Sequence, residues 1–187
     1  AEEAKQGVEI AYSVPKEAYE RTIIPAFQRH WKQRTGQEVR IRSSYGASGA
    51  QARAIIGGFD ADVAVLSLEG DLDQIAKAGL ISHDWRTGPH KGMVSASVVA
   101  LGVRKGNPKG IKDWNDLVQP GVAIIPANPR TSGAARWTYL AAWGYVLNHG
   151  GDEAKAREFV AKFYRNVPVL DPGARGATTS FIQREIG

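Results

Sequence analysis

Short apolar runs bounded by turn residues alternate with longer segments of helical periodicity along the first half of the chain. The apolar runs 8–12, 39–42 and 61–66 are predicted to be strands, and helices are predicted over 17–35, 49–56 and 70–78. Pro25 lies inside the first helical segment, so we expect either a kink there or a helix whose true start is near it. The resulting order βαβαβα predicts a parallel sheet with right-handed crossovers.

The same alternation continues in the second half of the chain. Residues 93–104 are predicted to form one long strand, and 122–125 and 167–170 two short ones. Helices are predicted from Asp113 or Asn115 to Leu117, and over 133–148, 152–166 and 173–185. A polar stretch rich in Gly, Pro and His separates the two halves. We therefore predict an N-terminal lobe, residues 1–92, and a second lobe, residues 93–187.

The composition changes this picture in only a few respects. Of the 187 residues, 43% are hydrophobic and 23% are charged, which is enough for one sizeable core or two small lobes. The net charge of +5 favours anionic partners in general. The basic residues are scattered and not interleaved with aromatic residues, which argues against nucleic acid as a partner. Cysteine is absent, which excludes disulfides and thiolate chemistry.

Neither a membrane span nor a signal peptide is evident in the sequence. No apolar stretch reaches the length of a bilayer. The chain begins with the acidic segment Ala1-Glu2-Glu3, whereas a signal peptide begins with a basic region followed by an apolar one. An exported protein has this pattern only after its signal peptide has been removed.

Three segments share one design, a loop of Ser and small residues that opens directly into a predicted helix. They are residues 43–52, 128–136 and 171–177. A helix start has unpaired backbone N–H groups and the positive end of the helix dipole, and Gly and Ala leave those groups open to an oxyanion. Ser48 and Ser132 are also good N-cap residues, so ordinary capping is the alternative for each segment alone. Three such starts, each on the carboxyl side of a predicted strand, favour an anion site.

Motifs of other functions are absent or incomplete. The sequence contains neither G-x-x-x-x-G-K-[ST] nor G-x-G-x-x-G. Residues 46–50 approximate the G-x-S-x-G nucleophile elbow around Ser48, with Ala50 in the last position. A serine hydrolase also needs a histidine and an acid. The four histidines are His30, His83, His90 and His149. They form no motif with metal-ligand spacing, and neither a metal nor a cofactor is predicted.

Six segments, spread over nearly the whole chain, form a recognisable pattern. They are His30-Trp31-Lys32-Gln33, Ser48-Gly49-Ala50-Gln51-Ala52-Arg53, residues 103–111, Asp113-Trp114-Asn115-Asp116-Leu117, Arg136-Trp137 with residues 139–145, and Leu170-Asp171 with residues 173–176. Together they resemble the periplasmic sulfate- and thiosulfate-binding proteins of ABC transporters.

The resemblance implies an α/β fold of the periplasmic-binding-protein type II (Venus flytrap) kind, with two α/β lobes and dehydrated sulfate in the cleft between them. In that family the anion is bound by backbone N–H groups at helix starts and a few side-chain donors, without a balancing Arg or Lys. Carried across to this chain, the binding positions are Ser13, Ser48, Ser132, Gly133, Ala134 and Ala174. Ser132 would supply its hydroxyl, and the others would act chiefly through N–H groups.

The sequence departs from the family pattern in three places. Ser13 stands where the family usually has Asp, and Ala134 where Gly is frequent. Family members also continue past Gly187, with a strand that returns to the first lobe and a tryptophan that contacts the anion. We therefore expect a C-terminally truncated chain with an incomplete first lobe, and domain swapping with a second copy is one way to supply the missing surface.

Together with the helix starts, the resemblance implies a mature, exported periplasmic receptor that is not an enzyme. It is expected to capture sulfate or thiosulfate and to deliver it to the membrane permease of an ABC importer. A cage made only of donors disfavours phosphate by about 1–3 kcal/mol, because the proton on phosphate finds no acceptor. A receptor for another tetrahedral oxyanion, molybdate or phosphate, and a serine hydrolase that uses Ser48 are the alternatives.

Overall fold

The computed structural model describes residues 5–187, so the Ala1-Glu2-Glu3 segment that bears on the signal peptide lies outside the described residues. The chain divides into two compact units, Ala1–Asp84 and Trp85–Gly187, and each is described by itself. The lobe boundary after residue 92 stays a prediction. Among the described helices, none combines the length and the apolar character that crossing a bilayer requires.

The first unit is a small parallel α/β layer structure. Its elements are β1 (Lys5–Tyr12), α1 (Lys16–Ala18), a π-helical turn (Tyr19–Ile23), α2 (Ile24–Thr35), β2 (Val39–Gly46), α3 (Ser48–Ile56), β3 (Val63–Val65) and α4 (Glu69–Lys77). Both β2 and β3 pair with β1 in parallel, which gives the strand order β2-β1-β3. The predicted βαβαβα order and the parallel sheet are therefore confirmed.

The π-helical turn has a local cause. Pro25 has no N–H to donate to the carbonyl four residues before it, and its ring crowds that carbonyl. The chain widens to a π turn over Tyr19–Ile23, directly before Pro25, and α2 then begins at Ile24. The helix ends at Gly36, whose φ of 76° is left-handed and whose N–H donates to the carbonyl of Lys32 at 2.8 Å. The helix predicted over 17–35 is therefore present from Lys16 onwards, and it is irregular just before Pro25, where the prediction placed a kink or a new start.

The apolar core of the first unit lies on one face of the sheet. Ile10, in the central strand β1, is fully buried and packs with Ala52 and Ile55 of α3 and with Ile75 of α4. This packing fixes α3 and α4 on the same face of the sheet. Since both helices follow parallel strands, their N-terminal ends lie at the carboxyl edge of the sheet.

A polar pair occupies the opposite face. Neighbouring strand residues point to opposite faces, so Glu9 points away from the Ile10 core. It is nevertheless buried, and its Oε2 accepts a hydrogen bond from Ser43 Oγ at 2.8 Å. Burial first, and then the charge of Glu9, raise the pKa of the Tyr19 phenol above its ordinary value. Tyr19 therefore stays neutral at physiological pH.

The regular elements of the second unit are helices, joined by long irregular segments. Its helices are α5 (Trp114–Leu117), α6 (Gly133–Asn148), α7 (Glu153–Arg165) and α8 (Ala174–Ile182). Asp113 and Asp116 form a reciprocal capping box at α5, and Asp152 caps α7 through the N–H of Lys155. The core between α6 and α7 contains Ala142, Phe159 and Val160. Each of these helices agrees with its prediction to within a few residues, because capping residues mark helix starts locally.

The long strand predicted over residues 93–104 is not formed in the structure, and this prediction is wrong. An apolar run records a local preference, whereas a strand also needs a partner that completes the ladder of hydrogen bonds. This segment has no ladder partner among the described residues. Residues 93–103 are exposed, Val94 and Val98 at 71% and 86%, and Arg104 is half-buried.

The short strands predicted over 122–125 and 167–170 are also wrong as continuous strands. Near them the chain forms only one isolated parallel bridge, between Ala127 and Asp171. A separate hydrogen bond joins the Ile124 N–H to the Asn166 carbonyl at 2.9 Å. Two short parallel segments without further strands beside them form too few backbone hydrogen bonds for a stable ladder.

Candidate functional site

At the carboxyl edge of the sheet, the structure brings together the two positions predicted in the first unit. Tyr12, the last residue of β1, is the register partner of Gly46, the last residue of β2. The next residues along each strand, Ser13 and the Ala47–Ser48 turn, therefore leave the sheet side by side. Ser48 is the first residue of α3, after Ala47 in an extended conformation. Ser13, by contrast, lies in a loop and does not begin a helix.

The hydroxyl of Ser48 is turned into the protein. Ser48 is 2% exposed, and its Oγ donates to Asp71 Oδ2 at 2.7 Å and accepts from the Ser67 N–H at 3.0 Å. With the hydroxyl so engaged, Ser48 has its backbone N–H left for a ligand. That N–H and the N–H of Gly49 belong to the first turn of α3, where the helix itself provides no acceptor.

The position of the α3 start also depends on Gln51. Its side chain is buried, and Nε2 donates to the carbonyls of Ala11 at 3.2 Å and Ser44 at 2.9 Å. These bonds tie α3 to the ends of β1 and β2. Gly46 lies close to this amide: a Cβ there would be 3.1 Å from Gln51 Cδ, so the Gln51 side chain would have to shift by a few tenths of an ångström. The sequence motif contained Gln51, but its role became visible only with the register of the strands.

In the second unit, the starts of α6 and α8 are neighbours. The Asn128 N–H donates to the Asp171 carbonyl at 2.8 Å, and Thr131 Oγ1 donates to the Pro172 carbonyl at 2.6 Å. Ala127, Ala135 and Ala177 pack together as a small core cluster beneath these loops. The structure therefore brings the predicted residues at the start of α6 close to the one at the start of α8.

Donor groups at these two starts remain available. Ser132 is the N-cap of α6 and is 3% exposed, and its Oγ accepts from the Ala135 N–H at 3.4 Å. The hydroxyl hydrogen of Ser132 is not used in that bond and can be donated to a ligand. Gly133 and Ala134 occupy the first two positions of α6, and Ala174 the first position of α8. Their N–H groups have no acceptor within their own helices.

Ala134 and Ala174 also line one cavity of about 580 Å³ within the second unit. The remaining walls of this cavity are mostly apolar and include Trp114, Phe163 and Phe181.

The first turns of α3, α6 and α8 contain no acidic residue, and neither does that of α2, whereas those of α1, α4, α5 and α7 do. An acidic side chain in the first turn normally offsets the positive end of the helix dipole. In these three helices, no carboxylate of the helix itself competes with an external anion for the first N–H groups.

Carboxylates from neighbouring elements do approach two of these starts. Asp71 contacts α3 through the Ser48 hydroxyl, which donates to its Oδ2 at 2.7 Å. Asp171 lies beside the first turn of α8. A Cβ placed on Gly176 would be 3.2 Å from the Cβ of Asp171. The buried Oδ2 of Asp171 has no hydrogen-bond partner among the described residues.

The Ser48 environment differs from that of a hydrolase nucleophile. A serine nucleophile gives its proton to an imidazole, which a carboxylate in turn orients. Here the hydroxyl donates directly to a carboxylate and is buried with it. Within residues 5–187, no cluster of three or more His, Asp or Glu side chains is arranged to hold a metal ion.

Asp71 is the residue of this region to which the sequence reasoning gave no role. Its signal was present in the sequence: Asp71 and Ile75 are separated by four residues, so they share one face of α4. A carboxyl group on the core-facing side of a helix is an exception that needs a partner. The identity of that partner, Ser48 on another helix, depends on the tertiary fold.

The sequence of the chain is similar to those of known proteins along almost its whole length. Residues 8–186 match the family described as bacterial extracellular solute-binding proteins. The chain is 53% identical over 173 residues to a sulfate-binding protein of Synechococcus elongatus, covering 92% of this chain and 49% of that protein. It is 46% identical over 189 residues to a thiosulfate-binding protein of Pseudomonas aeruginosa, covering 100% of this chain and 57% of that protein.

A solved structure is similar as well. The sulfate-binding protein SubI from Mycobacterium tuberculosis is 34% identical and aligns with a TM-score of 0.87, covering 97% of this chain and 62% of that chain. This similarity confirms the predicted fold class. The chain spans about half the length of the curated relatives it matches.

Proposed function

Since this chain belongs to the family of bacterial extracellular solute-binding proteins, we propose that it captures sulfate or thiosulfate outside the cytoplasm and delivers it to the permease of an ABC importer. The observation that carries this proposal is the set of three helix starts, in α3, α6 and α8, whose first turns contain small residues and no acid. Relatives named sulfate-binding and thiosulfate-binding proteins support the choice of anion.

In this proposal the donors are the backbone N–H groups of Ser13, Ser48, Gly133, Ala134 and Ala174, together with the hydroxyl of Ser132. Backbone N–H groups are fixed dipoles, so they stabilise a dianion without the side-chain ordering that Lys or Arg would require. The protein acts as a receptor and transforms nothing, and its place of action is the periplasm.

A cage of this kind would select anions by their protonation state. Sulfate and thiosulfate carry no proton at neutral pH and can accept from every donor. Phosphate keeps at least one proton, and its O–H would face N–H groups where it needs an acceptor. One buried polar group left without a partner costs about 1–3 kcal/mol, which corresponds to about 5–150-fold in affinity.

Competition calorimetry on the chain tests this proposal. We expect sulfate to bind with one site per chain, to be displaced by thiosulfate, and to be preferred over phosphate by about 5–150-fold. Molybdate is included because it is also an unprotonated tetrahedral dianion, and it separates selection by size from selection by protonation. Phosphate or molybdate displacing sulfate at equal concentration would assign the site to another oxyanion.

A further inference from the structure

A buried carboxyl group connects two helices of the first unit. Asp71 is 1% exposed and lies in the first turn of α4, on the same helix face as Ile75, which is also 1% exposed. Burying a carboxyl group is costly unless hydrogen bonds compensate for the lost water. An apolar side chain of similar size would fill this core-facing position at lower cost. The carboxyl group therefore needs an explanation other than core packing.

The hydrogen bonds of Asp71 lead directly to the start of α3. The Ser67 N–H donates to Ser48 Oγ at 3.0 Å, and Ser48 Oγ donates to Asp71 Oδ2 at 2.7 Å. This chain of bonds joins the loop after β3, the first residue of α3 and the first turn of α4. Because Ser48 is 2% exposed, these two hydrogen bonds are shielded from water, which strengthens them.

The hydrogen bond between Ser48 and Asp71, called the clamp below, has a specific consequence for the backbone. First-turn N–H groups have no partner within their helix, and helix ends fray. The side chain of Ser48 is attached to the same residue whose N–H is a proposed anion donor. When Asp71 holds that side chain inward, it fixes the direction of the Ser48 N–H and of the following Gly49 N–H. A donor fixed in advance loses no freedom when the anion arrives.

We propose that Asp71 is a positioning residue for the α3 part of the anion site and acts through the hydroxyl of Ser48. This role rests on the proposed function, since it concerns donors to the same anion. Asp71 itself does not contact the anion: it accepts the one hydroxyl hydrogen of Ser48 and so leaves that residue its N–H as the donor.

The same unit offers a matched control. Glu9 and Ser43 form a second Ser–carboxylate hydrogen bond, at 2.8 Å, and Glu9 is 4% exposed. This pair lies on the opposite face of the sheet from α3 and α4. Replacing Ser43 by alanine should therefore perturb stability in a comparable way without changing the direction of the α3 N–H groups.

The test compares sulfate affinity, measured by calorimetry, with stability, measured by urea unfolding. We expect Asp71→Ala and Ser48→Ala each to weaken sulfate binding by about 10-fold, and the double variant to be no weaker than either single one, because both remove the same clamp. Asp71→Asn should stay within about threefold of the unchanged chain, since its amide oxygen still accepts from Ser48. Ser43→Ala should stay within about twofold.

The outcomes separate the two proposals. If the unchanged chain does not bind sulfate, the proposed function fails and the role of Asp71 fails with it. If the chain binds sulfate but folded Asp71→Ala binds it equally well, or if the two single effects add, only the role of Asp71 is overturned. Should Asp71→Ala not fold, the comparison of Ser48→Ala with Ser43→Ala decides: equal affinities of these two variants would contradict the clamp.

Discussion

Replacing Ala174 by proline is expected to weaken sulfate binding by about 10–100-fold while leaving the fold unchanged. Ala174 is the first residue of α8, and proline is well tolerated at that position of a helix. The preceding Gly173 has an extended conformation, with φ −145° and ψ 162°, which suits a residue before proline. The substitution therefore removes one N–H donor and little else.

The size of this effect follows from the charge on the ligand. A hydrogen bond to a charged group contributes about 1.5–3 kcal/mol, and each 1.4 kcal/mol is tenfold in affinity. The matched control is Glu153→Pro, which places proline at the first position of α7 after the extended Asp152. We expect the control to bind sulfate like the unchanged chain. If Ala174→Pro also binds like the unchanged chain in calorimetry, the Ala174 N–H is not a donor to the anion.

An aspartate in place of Ser132 is expected to reduce sulfate affinity by more than about 1,000-fold. Aspartate caps helices as well as serine does, so α6 should remain at least as stable. Its carboxylate would, however, lie where we place a doubly charged anion. Two unit charges 4 Å apart near a protein surface repel by about 4 kcal/mol, and sulfate carries two charges.

The neutral counterpart Ser132→Asn separates charge from shape. Asparagine is also a good N-cap residue and is nearly the same size as aspartate. We expect Ser132→Asn to retain measurable sulfate binding and Ser132→Asp to lose it, with both variants folded by circular dichroism and urea titration. Equal affinities for the two variants would show that no anion approaches the start of α6.

Much of the fold could be predicted because its signals are local. The extent of α6 follows from the cap Ser132 and the apolar pattern after it, and the prediction of 133–148 agrees with Gly133–Asn148. Asp152 marks the start of α7 in the same way. The alternation of strands and helices was enough to predict that the strands of the first unit run parallel to one another.

The strands of the second unit were mispredicted because strand formation is not local. Residues 93–104 have the apolar, β-branched composition of a strand, but composition cannot provide the partner that a ladder needs. The role of Asp71 was missed for a related reason. Its position on the core-facing side of α4 is readable from the sequence, whereas its bond to Ser48 joins residues brought together only by the packing of α3 against α4.

Sequence reasoning found the candidate donors because a helix start and its small residues are adjacent in the chain. It could not show that the hydroxyl of Ser48 is engaged with Asp71, whereas the hydroxyl hydrogen of Ser132 is not used by its own helix cap. This difference gives the two serines separate roles in the proposal. Ser48 offers an N–H group, and Ser132 offers a hydroxyl.

The central claim is that several backbone N–H groups donate to one and the same dianion. Its most direct test is a titration of sulfate into the isotope-labelled chain, followed by the amide proton shifts of the candidate donors: Ser13, Ser48, Gly133, Ala134 and Ala174. We expect all five amide signals to move with a single common dissociation constant, while amides at the start of α7 stay in place. Signals that do not move, or that move with different dissociation constants in the two units, would contradict the claim.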